Sequence, residues 1–599
     1  MKNRVFLKNS VSMVLFRRNK MSVSKLLFHE NQGKPQSYLD CSRMQGWDII
    51  VDSNAIPAEK YAAEEFQYWF EKATRIALPV YHKIDEMAHH VIIGQNVPLF
   101  KNVLSIDTNE LGEEGFHVSI KPELMAIVGG RPRGTLYGVY QFLEDGLGIR
   151  FLTSEHTHVP KAAEAKIPCG EYSYKPPFSF RWSYYRENSN APEFAARLRV
   201  NTVTPDVKLG GNTPQNLINH SFHWLVPFGK YGEAHPEYYA LLDGKRHTDT
   251  AGGGPQLCVT NPDVIKVAAE SAIRYIDGHP GLKNVSVSQA DTNKYCRCDA
   301  CEEINQREGT PMGSQLTFVN AVAELVEKAH PDVKVGTLAY WYTRKAPKTI
   351  RPRHNVQIQL CSIECCTLHP IDDPDCPKNQ AFCNDMNEWG KISNDIWVWN
   401  YNTNFRAYDL PFPNLRSIGP NVRYFLNNNV KGLFMQANGN GTSGELSELR
   451  NYIIARMIWN PHFDDQAVRE EFIQLHYKSA AQPIMDYIEM LHDNAEKSGL
   501  NPGCFPSPAD VGLRPEISRK AFDYFEQALS LADDETVRAR VEKASICAYR
   551  AMIDAGGPME NAERKAIIDQ YITLCQRHNM THAAENKLAS VFFEELRSS

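Results

Sequence analysis

Two carboxylates stand where strand-like runs of this sequence end. Asp291 follows VSVSQA at 285–290, with Gln289 two positions before it, and Glu364 follows VQIQLCSI at 356–363. Apolar, β-branched runs that stop at amides and carboxylates read as C-terminal strand ends of a barrel or open sheet, where such folds gather catalytic groups. WVWNYN at 397–402 and GLFMQAN at 432–438 stop in the same way and bring Trp399, Tyr401 and Gln436. TLAYWY at 337–342 brings Tyr340 and Trp341. Flat aromatics suit the apolar faces of sugar rings, so several such ends point to one carbohydrate-type cleft. Arg186, His220 and His223 are candidate hydrogen-bond donors to its hydroxyls, and Gln289 is a candidate substrate contact. Each residue also has a plainer reading. A single aromatic is more often core than wall, Asp-Thr-Asn is good turn chemistry, and a strand-end Glu364 could pair with an Arg or cap a helix. Glu445 and Glu448 lie in GTSGELSELR. Glu448 reads as a helix N-terminal acid that favours the dipole, which leaves Glu445 as a reserve catalytic carboxylate. Cys296, Cys298 and Cys301 form C-x-C-x2-C. Three thiolates so spaced could hold a structural zinc with a fourth ligand such as Cys258 or a His, and a disulfide or free-thiol loop is the equal alternative.

The elements that must position these groups follow an α/β order. Residues 40–165 read as a small α/β accessory domain. A strand at 47–51 precedes a helix opened by Pro57, with Tyr61, Phe66, Trp69 and Phe70 on one face. Strands at 90–94, 115–120 and 124–128 follow. Leu136, Val139, Tyr140 and Leu143 then repeat at helical spacing, and Gly146 and Gly148 end that helix. Gly129 and Gly130 read as a tight strand-to-helix turn, because the full phosphate-binding pattern is absent. Residues 161–177, rich in Pro, Lys and Glu, read as a linker. Strand signals at 180–186, 200–204, 285–289, 335–341, 356–361, 396–399 and 432–435 then alternate with helical segments such as 314–330. That alternation predicts a catalytic (β/α)8 TIM-type barrel over 175–462. From 463 to 599 helical periodicity dominates, with Phe472 and Leu475, then Phe522, Phe525 and Leu529, on apolar faces. A helical C-terminal domain is expected there.

Composition narrows the function classes. The 599 residues are 42% hydrophobic and 23% charged, with a net charge of −6. The mild negative balance argues against nucleic-acid or anionic-membrane partners, which need a basic face. No apolar run approaches the ~18 residues of a membrane span. Residues 1–39 read as an N-terminal extension without fixed structure. Its apolar stretch at 11–16 is interrupted by Arg17, Arg18 and Lys20, so no clear secretory signal is visible, and Met21 could be the start. The fourteen cysteines are mostly scattered singly and do not decide the compartment.

Longer motifs carry a family resemblance. RGTLYGVYQFLEDGLGIRFL resembles the accessory domain that precedes the barrel in β-hexosaminidases and α-glucuronidases. HPEYYALLDGKR, QLCVTNP, VSQADTNKYCRCDAC, FVNAVAE, TLAYWYTRKAPK, LCSIECC, LPFPNLR and GELSELRNYIIARMIWNP together resemble a bacterial family first known as a domain of unknown function. That family includes the endo-β-N-acetylglucosaminidases of glycoside hydrolase family 163. The resemblance spans residues 40–490. It implies hydrolysis of N-acetylglucosamine-containing glycans, with the chitobiose core of N-glycans as one substrate, and a secreted or periplasmic site of action. Ala290 stands where the family pattern has Asn, which points to altered specificity. Such hydrolysis needs a proton donor and a group to stabilise an oxocarbenium-like transition state. Glu364, expected in an apolar surround, is the first choice for general acid. Asp291 would polarise the substrate acetamide, whose oxygen is the nucleophile in a substrate-assisted, retaining reaction. No cofactor is required for catalysis. Two alternatives stand beside this reading: an α-glucuronidase-like exo-hydrolase, with Arg344 and Lys345 clamping the uronate carboxylate, and a non-catalytic carbohydrate-binding protein on a decayed barrel.

Overall fold

The computed structural model describes residues 37–83, 89–97, 106–248, 254–442 and 444–598. Residues 1–36, most of the expected N-terminal extension, lie outside them. Among the described residues, no helix is long and apolar enough to cross a membrane.

The accessory region is a six-stranded mixed sheet made of β1 (Asp48–Ile50), β2 (Val80–Tyr81), β3 (His90–Ile93), β4 (Phe116–Lys121), β5 (Leu124–Gly129) and β6 (Gly170–Tyr174), in the order β6-β4-β5-β3-β1-β2. Helix α1 (Pro57–Thr74) starts with Pro57 and ends at Arg75 in the left-handed region. Helix α2 (Gly134–Leu147) ends at Gly148 with φ 75°. Gly129 has no room for a side chain, since a Cβ there would stand 2.0 Å from the Gly134 carbonyl carbon. The pair Gly129–Gly130 is thus a close strand-to-helix turn. The expected linker at 161–177 is corrected, because β6 within it pairs antiparallel with β4.

The second sheet is wholly parallel. Its strands are β7 (Phe180–Tyr184), β8 (Asn284–Ser286), β9 (Lys334–Ala339), β10 (Val356–Cys361), β11 (Ile396–Tyr401) and β12 (Gly432–Gln436), in the order β7-β12-β11-β10-β9-β8. Every residue of β10 is buried, as expected of a parallel strand covered on both faces. The helices α3 (Pro262–Asp277), α4 (Asp299–Glu308), α5 (Met312–Ala329), α6 (Pro377–Gly390), α7 (Leu415–Asn427) and α8 (Ser447–Trp459) intervene or follow. The inner face carries an aromatic core that includes Phe180, Trp397, Tyr401, Phe405 and Phe434.

Six strands form this arc, and the expected strand at 200–204 is absent. Arg199 has φ 60°, and the Asn201 side chain takes a ladder position itself, its Oδ1 accepting from the Arg181 N–H at 3.0 Å. On the other flank, Ser286 Oγ accepts from the Asn219 N–H and Asn284 Oδ1 from the Asn216 N–H, at 3.1 and 2.7 Å. The span between β7 and β8 is therefore crossed by side-chain-to-backbone bonds in place of a regular ladder.

Buried ion pairs join the sheets. Glu144 on α2 accepts both guanidinium nitrogens of Arg199 at 2.9 Å and also pairs with Arg456 on α8. Burial alone would raise the Glu144 pKa, but Arg199 and Arg456 outweigh it and hold the carboxyl at about 2.

Past residue 464 come α9 (Asp465–Tyr477), α10 (Ala481–Lys497), α11 (Pro515–Leu531), α12 (Glu535–Ala555) and α13 (Asn561–Arg577). A hairpin of β13 (His582–Ala584) and β14 (Lys587–Leu588) and helix α14 (Ala589–Ser598) complete the chain. Apolar residues of α9 to α12 belong to the same core cluster as the parallel sheet. The hairpin returns to the sheet: Tyr408 N–H donates to Ala583 O and Glu585 N–H to Phe405 O, both at 3.0 Å.

Candidate active site

A cleft of about 350 Å³ opens at the C-terminal ends of β9 to β12. His220, Asp291, Tyr340, Trp341, Trp399, Tyr401 and Gln436, all singled out from the sequence, line it together. A larger cavity, about 480 Å³, lies beside Ser179, Lys283, Lys334 and Gln357, at the opposite ends of the strands. In parallel barrels that end serves stability and the C-terminal end serves chemistry, so the smaller cleft is the candidate site.

Strand ends and short turns hold its walls. Trp341 follows β9 with φ 51°, an uncommon conformation for a bulky residue. It stacks on Tyr340 at 4.6 Å and 17° and is 39% exposed, so its indole is open to a ligand. Thr343 braces this turn by accepting the Tyr340 N–H at 3.1 Å. Gln289 is fully buried and donates to the same Thr343 hydroxyl at 2.8 Å. It therefore supports the wall and does not face a substrate. Trp399 Nε1–H donates to Gln436 Oε1 at 2.6 Å, which fixes that amide.

Asp291 is half exposed, with a side-chain exposure of 49%, and accepts the Tyr340 hydroxyl at 3.1 Å. His220 Nδ1 lies 2.7 Å from the Gln289 carbonyl and so carries a proton. Its Nε2 is left 3.7 Å from Asp291, beyond hydrogen-bond reach.

The cleft holds a second carboxylate that sequence reasoning missed. Glu585, at the tip of the β13–β14 hairpin, lines it opposite the strand ends. Burial, and then the negative charge of Asp291, push its pKa above the usual glutamate value. The sequence signal was faint: a Glu-Asn turn between two very short strands inside a helical region.

Besides Gln289, four expectations are corrected. Glu364 does not sit in an apolar surround. Its side chain is 43% exposed and pairs with Arg344 Nη1 at 2.8 Å, although its neighbour Ile363 lines the cleft. Glu445 lies elsewhere, buried, with Oε2 on Arg450 at 2.5 Å and Oε1 on the Tyr487 hydroxyl at 3.0 Å. Both oxygens are engaged, which suits a structural ion pair. Arg186 donates to Asn440 O at 3.1 Å and lines a separate cavity of about 380 Å³ with Glu187 and Glu448. Loss of water, and then Glu448, push Glu187 up to about 7 there. His223 is exposed and does not line the cleft.

The cysteine cluster lies behind the Asp291 loop. The Sγ atoms of Cys258, Cys296, Cys298 and Cys301 all fall within 4.8 Å of one another. Cys366 Sγ, His369 and Cys376 Sγ form a second, three-membered group.

Comparison with known proteins places this geometry. A family model described as a domain of unknown function, DUF4838, matches residues 151–489, and one described as the glycosyl hydrolase family 67 N-terminus matches residues 39–142. No curated protein matches. Among solved structures, a family GH115 4-O-methyl-α-glucuronidase with specificity for decorated arabinogalactans is similar at a TM-score of 0.52 and 11% identity, over 89% of this chain and 76% of that one. A mutant Streptomyces plicatus β-hexosaminidase in complex with GlcNAc aligns at 0.40 and 13%, over 75% and 92%. A GH20 β-N-acetylhexosaminidase from Streptomyces coelicolor A3(2) aligns at 0.39 and 12%, over 73% and 94%. The first of these shows that the fold is glycoside-hydrolase-like. A cleft with two carboxylates, aromatic walls, one imidazole and, among the described residues, neither Arg nor Lys can perform acid–base chemistry on a neutral ring.

Proposed function

The chain belongs to the DUF4838 family, and we propose that this member is a glycosidase acting on N-acetylglucosamine-containing glycans by substrate-assisted, retaining hydrolysis. The observation that carries this reading is the pair Asp291 and Glu585 in one aromatic cleft, with Glu585 biased toward its protonated form by burial and by Asp291. A carboxyl raised by burial can serve as the acid of a pair while its neighbour takes the other role. Glu585 gives its proton to the leaving oxygen. Asp291, oriented by Tyr340, accepts the acetamide N–H and drives the acetamide oxygen onto the anomeric carbon. Trp341 and Trp399 supply stacking surface, and the Gln436 amide can meet ring hydroxyls.

Glu364 is the second reading for the proton donor. It stands one residue beyond Ile363, and its charge acts on Tyr340 and Cys361 in the cleft. Substrate would have to free it from Arg344. The glucuronidase alternative is less well supported. A uronate carboxylate needs a cation, yet among the described residues neither Arg nor Lys lines the cleft. Arg344 is held by Glu364 and by Asp385 at 2.6 Å, and Lys345 is exposed outside it.

The test is a substrate panel: aryl β-N-acetylglucosaminides, a glycoprotein with an intact chitobiose core, and aryl α-glucuronides. Hydrolysis of an N-acetylglucosaminide with retained configuration, lost in Asp291→Asn, is the expected result. Cleavage of uronides alone would transfer the assignment to the glucuronidase class. Glycan binding without turnover would make the protein a lectin-like binder.

A further inference from the structure

We infer that Cys258, Cys296, Cys298 and Cys301 form a structural tetrathiolate zinc site that anchors the Asp291 loop. The inference does not depend on the glycosidase reading. Four buried or half-buried thiols meet within 4.8 Å, with Cys258 Sγ and Cys298 Sγ 3.7 Å apart. All fourteen cysteines are free, and 3.7 Å is far beyond a disulfide bond. Sulfurs at about 2.3 Å from a tetrahedral zinc stand ~3.8 Å from one another, so the observed spacing is that of the edge of such a site.

Groups around the thiols also suit thiolates. The Leu241 N–H donates to Cys296 Sγ at 3.3 Å, and the Thr260 hydroxyl lies 3.3 Å from Cys301 Sγ. Such donors orient metal-bound sulfur and disperse its charge. Cys298 is the N-cap of α4 and Cys301 lies in its first turn, where the helix dipole favours negative charge. Four sulfurs with no open position describe a closed, structural site.

The placement explains what the metal would do. Cys258 belongs to the segment after the short hairpin at 241–246, and the other three flank or begin α4. Between them, Gln256 Nε2 donates to Ala290 O at 2.8 Å and to Thr292 O at 2.7 Å. The loop that bears Asp291 is thereby tied to the 256–258 segment at both of its ends, by the Gln256 amide on one side and by the thiolate cluster on the other.

The experiment is metal analysis of the full-length protein purified without added metal. The expected result is about one zinc per chain, released in step with a mercurial titration of the native thiols and read with a zinc-binding dye. Cys298→Ser and Cys258→Ser should each lose the zinc and lower Tm. Iron at the site, a metal-free protein whose four thiols react freely, or a disulfide among them by mass spectrometry would overturn the inference. Because the wild-type measurement decides the matter, a variant that fails to fold leaves the test intact.

Discussion

Replacing Glu585 with Gln removes one proton and little else. The hairpin is held by its backbone, through Glu585 N–H to Phe405 O at 3.0 Å and Asn440 Nδ2 to Glu585 O at 2.7 Å. The amide keeps those bonds, so Tm should stay unchanged. The loss is then chemical. A positioned general acid contributes about 10² to 10⁴ in rate, or ~3 to 5 kcal/mol at 1.36 kcal/mol per decade. The upper end is expected, because among the described residues the only other carboxyl lining the cleft is Asp291, which is assigned to the acetamide. The assay is kcat on a natural glycan, whose leaving oxygen needs the proton, beside a 4-nitrophenyl glycoside, whose phenolate leaves without one. Glu585→Gln should collapse the first and spare much of the second. The proton must be on Glu585 for the reaction, so activity falls as pH rises through its raised pKa. Asp291→Asn removes the second cause of that rise, so any residual activity should lose its alkaline limb at lower pH. Glu364→Gln breaks an exposed ion pair and should leave kcat near wild type. If Glu585→Gln retains turnover of the natural glycan while Glu364→Gln loses it, the reasoning from burial is refuted and Glu364 is the acid.

Two further outcomes follow from the same contacts. Glu144→Gln leaves the buried Arg199 and Arg456 without their carboxylate and should cost about 3–5 kcal/mol in denaturant unfolding, the range for breaking a buried pair. Because its folded pKa of about 2 lies below the ordinary 4.5, the stabilisation is full above the ordinary value and lost as pH falls from 4.5 toward 2; an acid-unfolding curve unchanged by the substitution would contradict this. Trp341→Ala removes a stacking face worth about 0.5–1.5 kcal/mol and should raise KM by up to ~10-fold with kcat little altered; an unchanged KM would remove Trp341 from the site.

What the sequence showed, and what it did not, divides by how far away each residue's surroundings come from. Strand ends are local. VQIQLC announces a strand buried on both faces, and the groups that follow such runs arrive at one end of the sheet whatever the details. Hence Asp291, Tyr340, Trp341, Trp399, Tyr401 and Gln436 do meet. The stretch VNTVT at 200–204 reads as a strand because four of its five residues are β-branched, yet Asn201 spends its side chain on the Arg181 N–H and Arg199 turns the chain through a left-handed conformation. No local pattern reveals that exchange. Glu364 and Glu445 differ from expectation for the same cause: Arg344 comes to Glu364 from another loop, and the burial of Glu445 against the Tyr487 hydroxyl, which leaves it paired with nearby Arg450, is set by tertiary packing. Glu585 is the extreme case. Helices α9 to α13 must first pack against the sheet before the chain can return a carboxylate to the cleft. Its acidity depends on that return twice, through the burial it brings and through the charge of Asp291 that it then faces. A helical C-terminal region that looked like an appendage in sequence is thus, on this reading, part of the catalytic apparatus. Truncation after α13 should accordingly abolish glycan turnover even where the parallel sheet itself remains folded.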